Sequence, residues 1–334
     1  MTLDTKLLHS LTQGTAKEAW GLILDQVVAI AAQPLTENNA VSDVARRDRE
    51  IGVLDHFLSS SGWDLWQAFG DPDQSGVERT SERLAGWWAE PYSAKAVLIL
   101  DGLSLRELPW LLQGAQERGF NRHQVTVTAS ELPGATQEFA QALGFNSRSQ
   151  LQNNGGGDTH KLRPSHTESL DLPWKDCADL IKGQPNWVFW HHWPDSKVHD
   201  ESGAGQGLDT LTRDAAEQLR SDDFWAFVTR LATGRRLVIT SDHGYAATGN
   251  FPDADGEVGQ FLKNLFASGR GTAGSGDTGP FMPPVALRIE SPQGVHRLAL
   301  GRRKWKSQGG YPTLTHGGLS LLEVLSPFVE LSRS

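Results

Sequence analysis

Four short apolar runs punctuate the chain from Lys95 onward, and three of them lead into acids or imidazoles. Val97-Leu98-Ile99-Leu100 runs into Asp101-Gly102. Trp187-Val188-Phe189-Trp190 runs into His191-His192-Trp193-Pro194-Asp195 and, four residues on, His199. Leu237-Val238-Ile239-Thr240 runs into Ser241-Asp242-His243-Gly244. The fourth run, Val125 through Thr128, carries no such ending. Stretches of helical periodicity separate the runs, over 105–116, 136–143 and 207–232. Strands alternating with helices imply a largely parallel sheet covered on both faces, which predicts an α/β fold, a three-layer α/β/α sandwich. In such sheets ligands bind beyond the carboxyl ends of the strands, which is where these acids and imidazoles lie. Residues 285–289 and 295–300 read as a late antiparallel pair turning at Pro292-Gln293-Gly294, and 320–329 as a closing helix. Residues 1–92 read instead as a helical N-terminal region with no strand, including helices near 41–58 and 76–88. The division expected is therefore 1–92 and 93–334.

Composition narrows the chemistry. The chain holds one cysteine, Cys177, so neither an internal disulfide nor a Cys-rich zinc module is available. Any metal site must draw on His and carboxylates. The formal net charge of −9 argues against indiscriminate nucleic-acid binding, so a polyanionic substrate needs a local positive site. The N-terminus has no apolar signal core, and no run reaches the ~20 apolar residues that span a bilayer. The expectation is a cytoplasmic protein with no membrane partner.

Each candidate has an alternative. Asp242-His243-Gly244 places adjacent side chains on opposite sides of a fixed strand end, so each can face its own ion; alone, it equally reads as a turn-capping Asp beside a surface His. Asp195-x3-His199 puts two donors on one helical turn, or is a solvated loop. Asp101-Gly102 alone is a common turn. His316 precedes Gly317-Gly318, which leaves room for an ion, or it is a surface His. Mixed Asp and His sets suit zinc, with manganese the alternative. The glycine-rich segments 153–158 and 269–279 lack a Gly-Lys-Ser/Thr ending, and the second is expected to be a mobile loop. The tryptophans Trp187, Trp190 and Trp193 read as core, and Cys177 as a small buried hydrophobe. His191 and His192 read as supports or lining of the site, and His9, His56, His123, His160, His166 and His296 as structural or exposed.

The order Asp101-Gly102, Asp195-x3-His199, Asp242-His243-Gly244 and His316-Gly317 resembles the alkaline phosphatase superfamily over roughly 95–330. More narrowly, Thr240-Ser-Asp-His-Gly-Tyr245 and Thr315-His-Gly-Gly-Leu-Ser-Leu-Leu-Glu-Val-Leu-Ser-Pro-Phe328 resemble the PglZ domain found in bacterial phage-defence systems. The resemblance implies an alkaline phosphatase-like catalytic domain over 93–334 with two divalent metal ions. Asp195, His199 and His316 would hold one, and Asp101, Asp242 and His243 the other. It implies a hydroxyl nucleophile opening a helix, assigned to Thr136 in Leu132-Pro-Gly-Ala-Thr136; Gly134 stands where the family has Ser, and Thr128, Ser130 and Ser104 are fallbacks. As a bland alternative, Thr136 is the N-cap of that helix.

The activity implied is metal-dependent phosphoester hydrolysis, read as a phosphodiesterase acting on nucleotides or nucleic acid. The basic cluster Arg302, Arg303, Lys304 and Lys306, with Trp305 as a stacking surface, is expected to bind substrate phosphate. A phosphomonoesterase on the same site, or a metal-binding scaffold among other phage-defence proteins, are the competing readings. Sulfatase and serine-hydrolase chemistry lack their motifs.

Overall fold

The computed structural model describes residues 9, 11–36, 39–202, 207–307, 310 and 312–333. The expectation resting on Leu7 and Leu8 lies outside them. Helices open the chain: α1 (Ala16–Ala31), α2 (Ala40–Ser60), α3 (Trp63–Phe69) and α4 (Thr80–Ala89). Thr15 starts α1 with a reciprocal capping pair to Glu18. There follow β1 (Lys95–Leu100), α5 (Leu108–Glu117), β2 (Asn121–Ala129), α6 (Thr136–Leu143), β3 (His166–Leu170), α7 (Trp174–Leu180), β4 (Trp187–His191) and α8 (Asp195–Asp200). The rest comprises α9 (Leu208–Arg220), α10 (Asp222–Ala232), β5 (Arg236–Thr240), α11 (Gly256–Phe266), β6 (Gly271–Ala273), β7 (Ala286–Ser291), β8 (Gly294–Ala299), α12 (Leu321–Val324) and β9 (Leu325–Ser332).

Six strands form the central sheet in the order β2-β9-β5-β1-β4-β3. β5, β1, β4 and β3 pair in parallel, and β9 alone runs against its neighbours. β1 is buried along its whole length, as a strand covered on both faces must be. Its residues alternate between two apolar clusters. Ala96, Leu98 and Leu100 join the larger one, while Val97 and Ile99 meet Leu84, Trp87, Phe139 and Leu143 on the other face. This is the expected three-layer α/β/α arrangement. The antiparallel pair β7–β8 forms as expected, and β6 joins it in a separate three-stranded sheet.

The N-terminal helices share the larger cluster: Trp20, Ile23, Leu54 and Leu58 pack in it together with Leu98 and Ile239. Charge reinforces the contact. Asp48 of α2 pairs with Arg106 and Arg302, and Asp55 of α2 pairs with Arg302 and accepts from the Leu321 amide at 2.7 Å. Asp48 and Asp55 are almost fully buried.

Three expectations are corrected. The closing helix is one turn, α12, followed by strand β9. Pro327 lacks the amide that would continue a helix, and the buried run around it fits a slot between β2 and β5. The long helix over 207–232 is two helices, broken at Ser221, whose backbone is extended and whose side-chain hydroxyl caps α10 by accepting from the Phe224 amide. Segment 269–279 contains β6 rather than being wholly a loop. Strand β3 was not expected: His-Thr-Glu-Ser-Leu has little apolar character, as an edge strand allows. No helix among the described residues is long and apolar enough to cross a membrane.

Candidate metal centre

The sheet order sets the site. β5, β1 and β4 are neighbours, so the residues beyond their carboxyl ends fall side by side. The pairing continues past the strands: the Asp101 amide donates to His191 O at 3.0 Å, and the Asp195 amide to Asp101 O at 2.8 Å. Gly102 sits at φ +73°, and a Cβ there would come within 3.1 Å of Asp195 Cβ, so the turn after Asp101 closes against Asp195 only with glycine. The loop after β5 holds the last element: Ala246 and Thr315 exchange amide bonds at 2.7 and 3.1 Å, which places His316 beside His243. The two imidazoles stack with centroids 4.2 Å apart.

Two groups of donors result. Asp195, His199 and His316 bring donor atoms within 4.8 Å of one another, and so do Asp101, Asp242 and His243. These are the two sets the family resemblance implied, and Asp242 and His243 share one group rather than each facing its own ion. The second group is wholly buried; in the first, the His199 side chain is 64% exposed. His316 Nδ1 lies 2.9 Å from Gly134 O, and His243 Nδ1 2.9 Å from Gly244 O. A carbonyl only accepts, so each Nδ1 carries a proton, which leaves each Nε2 facing the carboxylates as the atom that would ligate a metal ion once free of its own proton. Gly244 is held close: its amide donates to Glu323 O, and a Cβ would meet Leu322 O at 2.2 Å.

Three atoms facing this space have no hydrogen-bond partner although buried: Asp195 Oδ1, Asp242 Oδ2 and His243 Nε2. Buried polar atoms are ordinarily satisfied, so three orphans of metal-ligating type in one place mark room for cations. The charges agree. Burial pushes the Asp101 carboxyl well up, and the neighbouring Asp242 and Asp195 push it further. Burial alone would lower His243, but Asp242, Asp195 and Asp101 outweigh it and raise its pKa to about 9. Burial and the nearby His243 charge lower His316 to about 4. Burial alone would raise Asp195, but the His199 hydrogen bond and the surrounding histidines hold it well below the usual carboxylate range. Protons thus accumulate where three carboxylates crowd against too little counter-charge, Arg148 being the one cation that lowers Asp101 besides His243.

Thr136 is the first residue of α6, and its Oγ1 donates to Asp101 Oδ1 at 3.3 Å. Ala135, not Thr136, is the N-cap, so the capping alternative falls. The fallback hydroxyls are buried and engaged elsewhere: Thr128 with Thr80, Ser130 with Val324 O, and Ser104 with Arg106. Glycine at position 134 has a local reason, since a Cβ would come within 3.2 Å of Ser130 Oγ and 3.4 Å of His243 Cβ.

Several residues in the site carry no sequence signal. The Arg148 guanidinium contacts Asp101 Oδ2, and Trp190 Nε1 donates to the same atom at 3.1 Å. Glu323, fully buried, accepts from Arg270 Nε at 2.8 Å, from the Gly318 amide at 2.9 Å and from Ser320 Oγ at 2.5 Å. It ties the His316 loop to the Gly244 turn. His192 bonds Ser169, and His191, whose ring lies tilted against Trp174 with centroids 4.0 Å apart, bonds Leu172 O. Trp187, Trp190, Trp193 and Cys177 are buried, as expected of core.

The basic cluster divides. Arg302 bonds Asp48 and Asp55 and is turned toward α2, and Trp305 is buried with its Nε1 on Ala267 O. Neither is an open phosphate or base platform, because a guanidinium held by two buried carboxylates has no charge to spare. Lys304 pairs with Asp253 at 3.3 Å, Arg303 is half-buried and Lys306 is exposed.

Among solved structures, murine ectonucleotide pyrophosphatase/phosphodiesterase 5 is similar to this chain at 11% identity, covering 72% of this chain and 88% of that one, with a TM-score of 0.46. No family model matches the sequence, and no curated protein matches it.

Proposed function

We propose that the chain is a two-metal phosphoester hydrolase of the alkaline phosphatase superfamily, acting as a phosphodiesterase on nucleotides or nucleic acid. The observation that carries this reading is the pair of facing donor groups with orphaned buried atoms on Asp195, Asp242 and His243. Asp195, His199 and His316 hold one divalent ion and Asp101, Asp242 and His243 the other. Bound there, the ions supply the positive charge that lowers a hydroxyl pKa and neutralises a phosphoryl group. The donor chemistry fits zinc first and manganese second. The motifs at Thr240–Tyr245 and Thr315–Phe328 support the PglZ family and, through it, a place in phage defence.

In this reading Thr136 is the nucleophile, since its oxygen reaches a carboxylate of the second group. Its oxygen forms a bond to phosphorus as the ester bond breaks, and the leaving alkoxide takes up a proton. Water then cleaves the phospho-threonine ester, which still carries the second ester group, restoring the hydroxyl and releasing a phosphomonoester. Arg148, a fork that matches two phosphoryl oxygens, orients the substrate once Asp101 is engaged by a cation. Arg303, Lys304 and Lys306 extend the positive rim.

Hydrolysis of bis-p-nitrophenyl phosphate against p-nitrophenyl phosphate, with metal content measured by elemental analysis, tests the assignment. Thr136→Ala is expected to lose essentially all turnover while retaining its metals; substantial residual activity would remove the covalent route. Arg148→Ala is expected to keep its metals too and to lose about 10²-fold in kcat/KM, the scale of one positioned charge-stabilising donor. An unchanged kcat/KM there would take Arg148 out of substrate binding. Preference for the monoester would favour the phosphatase reading.

A further inference from the structure

The parallel strands have a second end, and a cavity of about 990 Å³ opens there. Thr233 and Arg235 line it just before β5 begins, and Gly183 lies just ahead of β4. The cavity is therefore at the amino ends of strands whose carboxyl ends lead to the donor groups. At ~3.3 Å per residue, five-residue strands separate the two places by roughly 16 Å.

Five cations line this cavity, Arg118, Lys182, Arg230, Arg235 and Arg333, against the acid Asp222, in a chain whose net charge is −9. Arg118 is answered by Asp222 at 2.9 Å and Glu117 at 3.5 Å. Arg235 bonds main-chain carbonyls at Lys182, Gln184 and Leu231, and so caps the end of α10. Like Arg235, the remaining three hold only uncharged partners among the described residues, so four of the five cations pair with no acid. Lys182 Nζ donates to Asp179 O, Arg230 Nε to Ile181 O, and Arg333 Nη1 to Thr229 Oγ1. The carboxyl ends of α7 and α10 reach the cavity, but a helix end offers about half a charge. Roughly three positive charges stay uncompensated in one concavity.

We propose that this cavity binds the polyphosphate of a nucleotide-sized ligand, at a site separate from the metal centre. Its volume suits a small molecule, guanidinium forks match phosphate oxygens in pairs, and the cations converge from separate elements onto one hollow. An extended strand of nucleic acid would instead call for an elongated basic stripe.

The test uses the full chain carrying Asp242→Asn, in EDTA, so that the metal centre cannot bind phosphate through ions. Titration calorimetry with inorganic tripolyphosphate and with ATP is expected to give one ligand per chain, with affinity falling as salt rises. Lys182→Glu with Arg333→Glu is expected to weaken binding at least tenfold. The charge-matched pair Lys263→Glu with Arg288→Glu, at exposed positions outside the cavity, is expected to leave it within about twofold, as is Lys182→Arg, which keeps the charge. An unchanged thermal midpoint shows that each variant is folded. Absence of binding, or equal loss in the two charge-reversed pairs, overturns the proposal. So does binding of a twelve-residue oligothymidylate where neither small polyanion binds, which would assign the surface to nucleic acid. Hydrolysis by the unmodified chain is measured separately, so failure here leaves the catalytic reading standing.

Discussion

Asp242→Asn is expected to abolish metal binding at the buried donor group and to cut ester hydrolysis by more than the ~10²–10³-fold that one lost electrostatic donor costs. The reason lies in the position of its two oxygens. Asp242 Oδ1 is occupied by the amides of Gly102 at 2.9 Å and His243 at 3.0 Å, while Oδ2 has no hydrogen-bond partner and lies 3.5 Å from His243 Nε2. Asparagine still offers one oxygen to those amides, so the turns keep their shape, but the negative charge facing the cation is gone. Stability in the absence of metal changes less. Without metal, Asp101, Asp195 and Asp242 repel one another, as the raised Asp101 carboxyl records. Removing one charge relieves that repulsion but also takes away the carboxylate that most favours the His243 proton, so the metal-free variant is expected to melt close to the metal-free parent. The parent is expected to gain on zinc addition, by about 4 kcal/mol at a thousandfold excess over Kd, and the variant much less. Calorimetric melting with and without zinc, beside elemental analysis, reads both effects. Two ions per chain in the variant, with full stabilisation, would refute the assignment.

Asp48→Ala is expected to be the most destabilising of the substitutions considered, by about 3–5 kcal/mol, the scale on which a buried pair fails when one partner is removed. Asp48 is 1% exposed and answers both Arg106 and Arg302, with Arg302 Nη1 at 2.9 Å. Its loss leaves Arg106 buried with no other carboxylate at ion-pair distance among the described residues. Arg106 also donates to Tyr245 O at 2.7 Å, two residues beyond His243, and follows Asp101 by five, so the damage is expected to reach metal affinity. The acid limb carries the same signature. Burial alone would raise the Asp48 carboxyl, but the two guanidiniums outweigh it and hold it below its ordinary value. A carboxylate lowered in the folded state contributes stability above its unfolded pKa, near 4, and loses it as pH falls toward the folded value. The parent should therefore lose stability below about pH 4 more steeply than Asp48→Ala. Parallel slopes in urea unfolding across that range would count against the pair.

What the sequence made legible follows from locality. Asp101, Asp195, Asp242 and His243 each come after a short apolar run, so their positions could be inferred once a parallel sheet was inferred. His316 was legible through its glycines and the surrounding motif. Partnerships made across long separations were not. Nothing near Arg302 announces that Asp48, 254 residues away, claims its charge, and the cluster read naturally as a phosphate rim. Arg148 stands in a segment with no periodicity, and its approach to Asp101 depends on the turn after α6. The run ending in β9 misled because Leu321, Leu322, Val324 and Leu325 repeat at a helical interval. Pro327 and the open slot in the sheet decided otherwise, which is tertiary context overriding local pattern.

The place of β9 has a consequence for how the protein is made. It is the last described strand in the chain, yet it lies inside the sheet, between β2 and β5. During synthesis β2 and β5 emerge without the strand that joins them, and each presents an unpaired edge of amides and carbonyls. The turn holding His316 leans on Glu323, which lies two residues before β9 begins. A nascent chain can thus collect its helices and its β1–β4–β3 core early, but it cannot assemble both donor groups until translation has passed residue 332. In the proposed reading hydrolysis is withheld from chains not yet extended through β9, and the interval before β9 docks is when edge-to-edge aggregation threatens most.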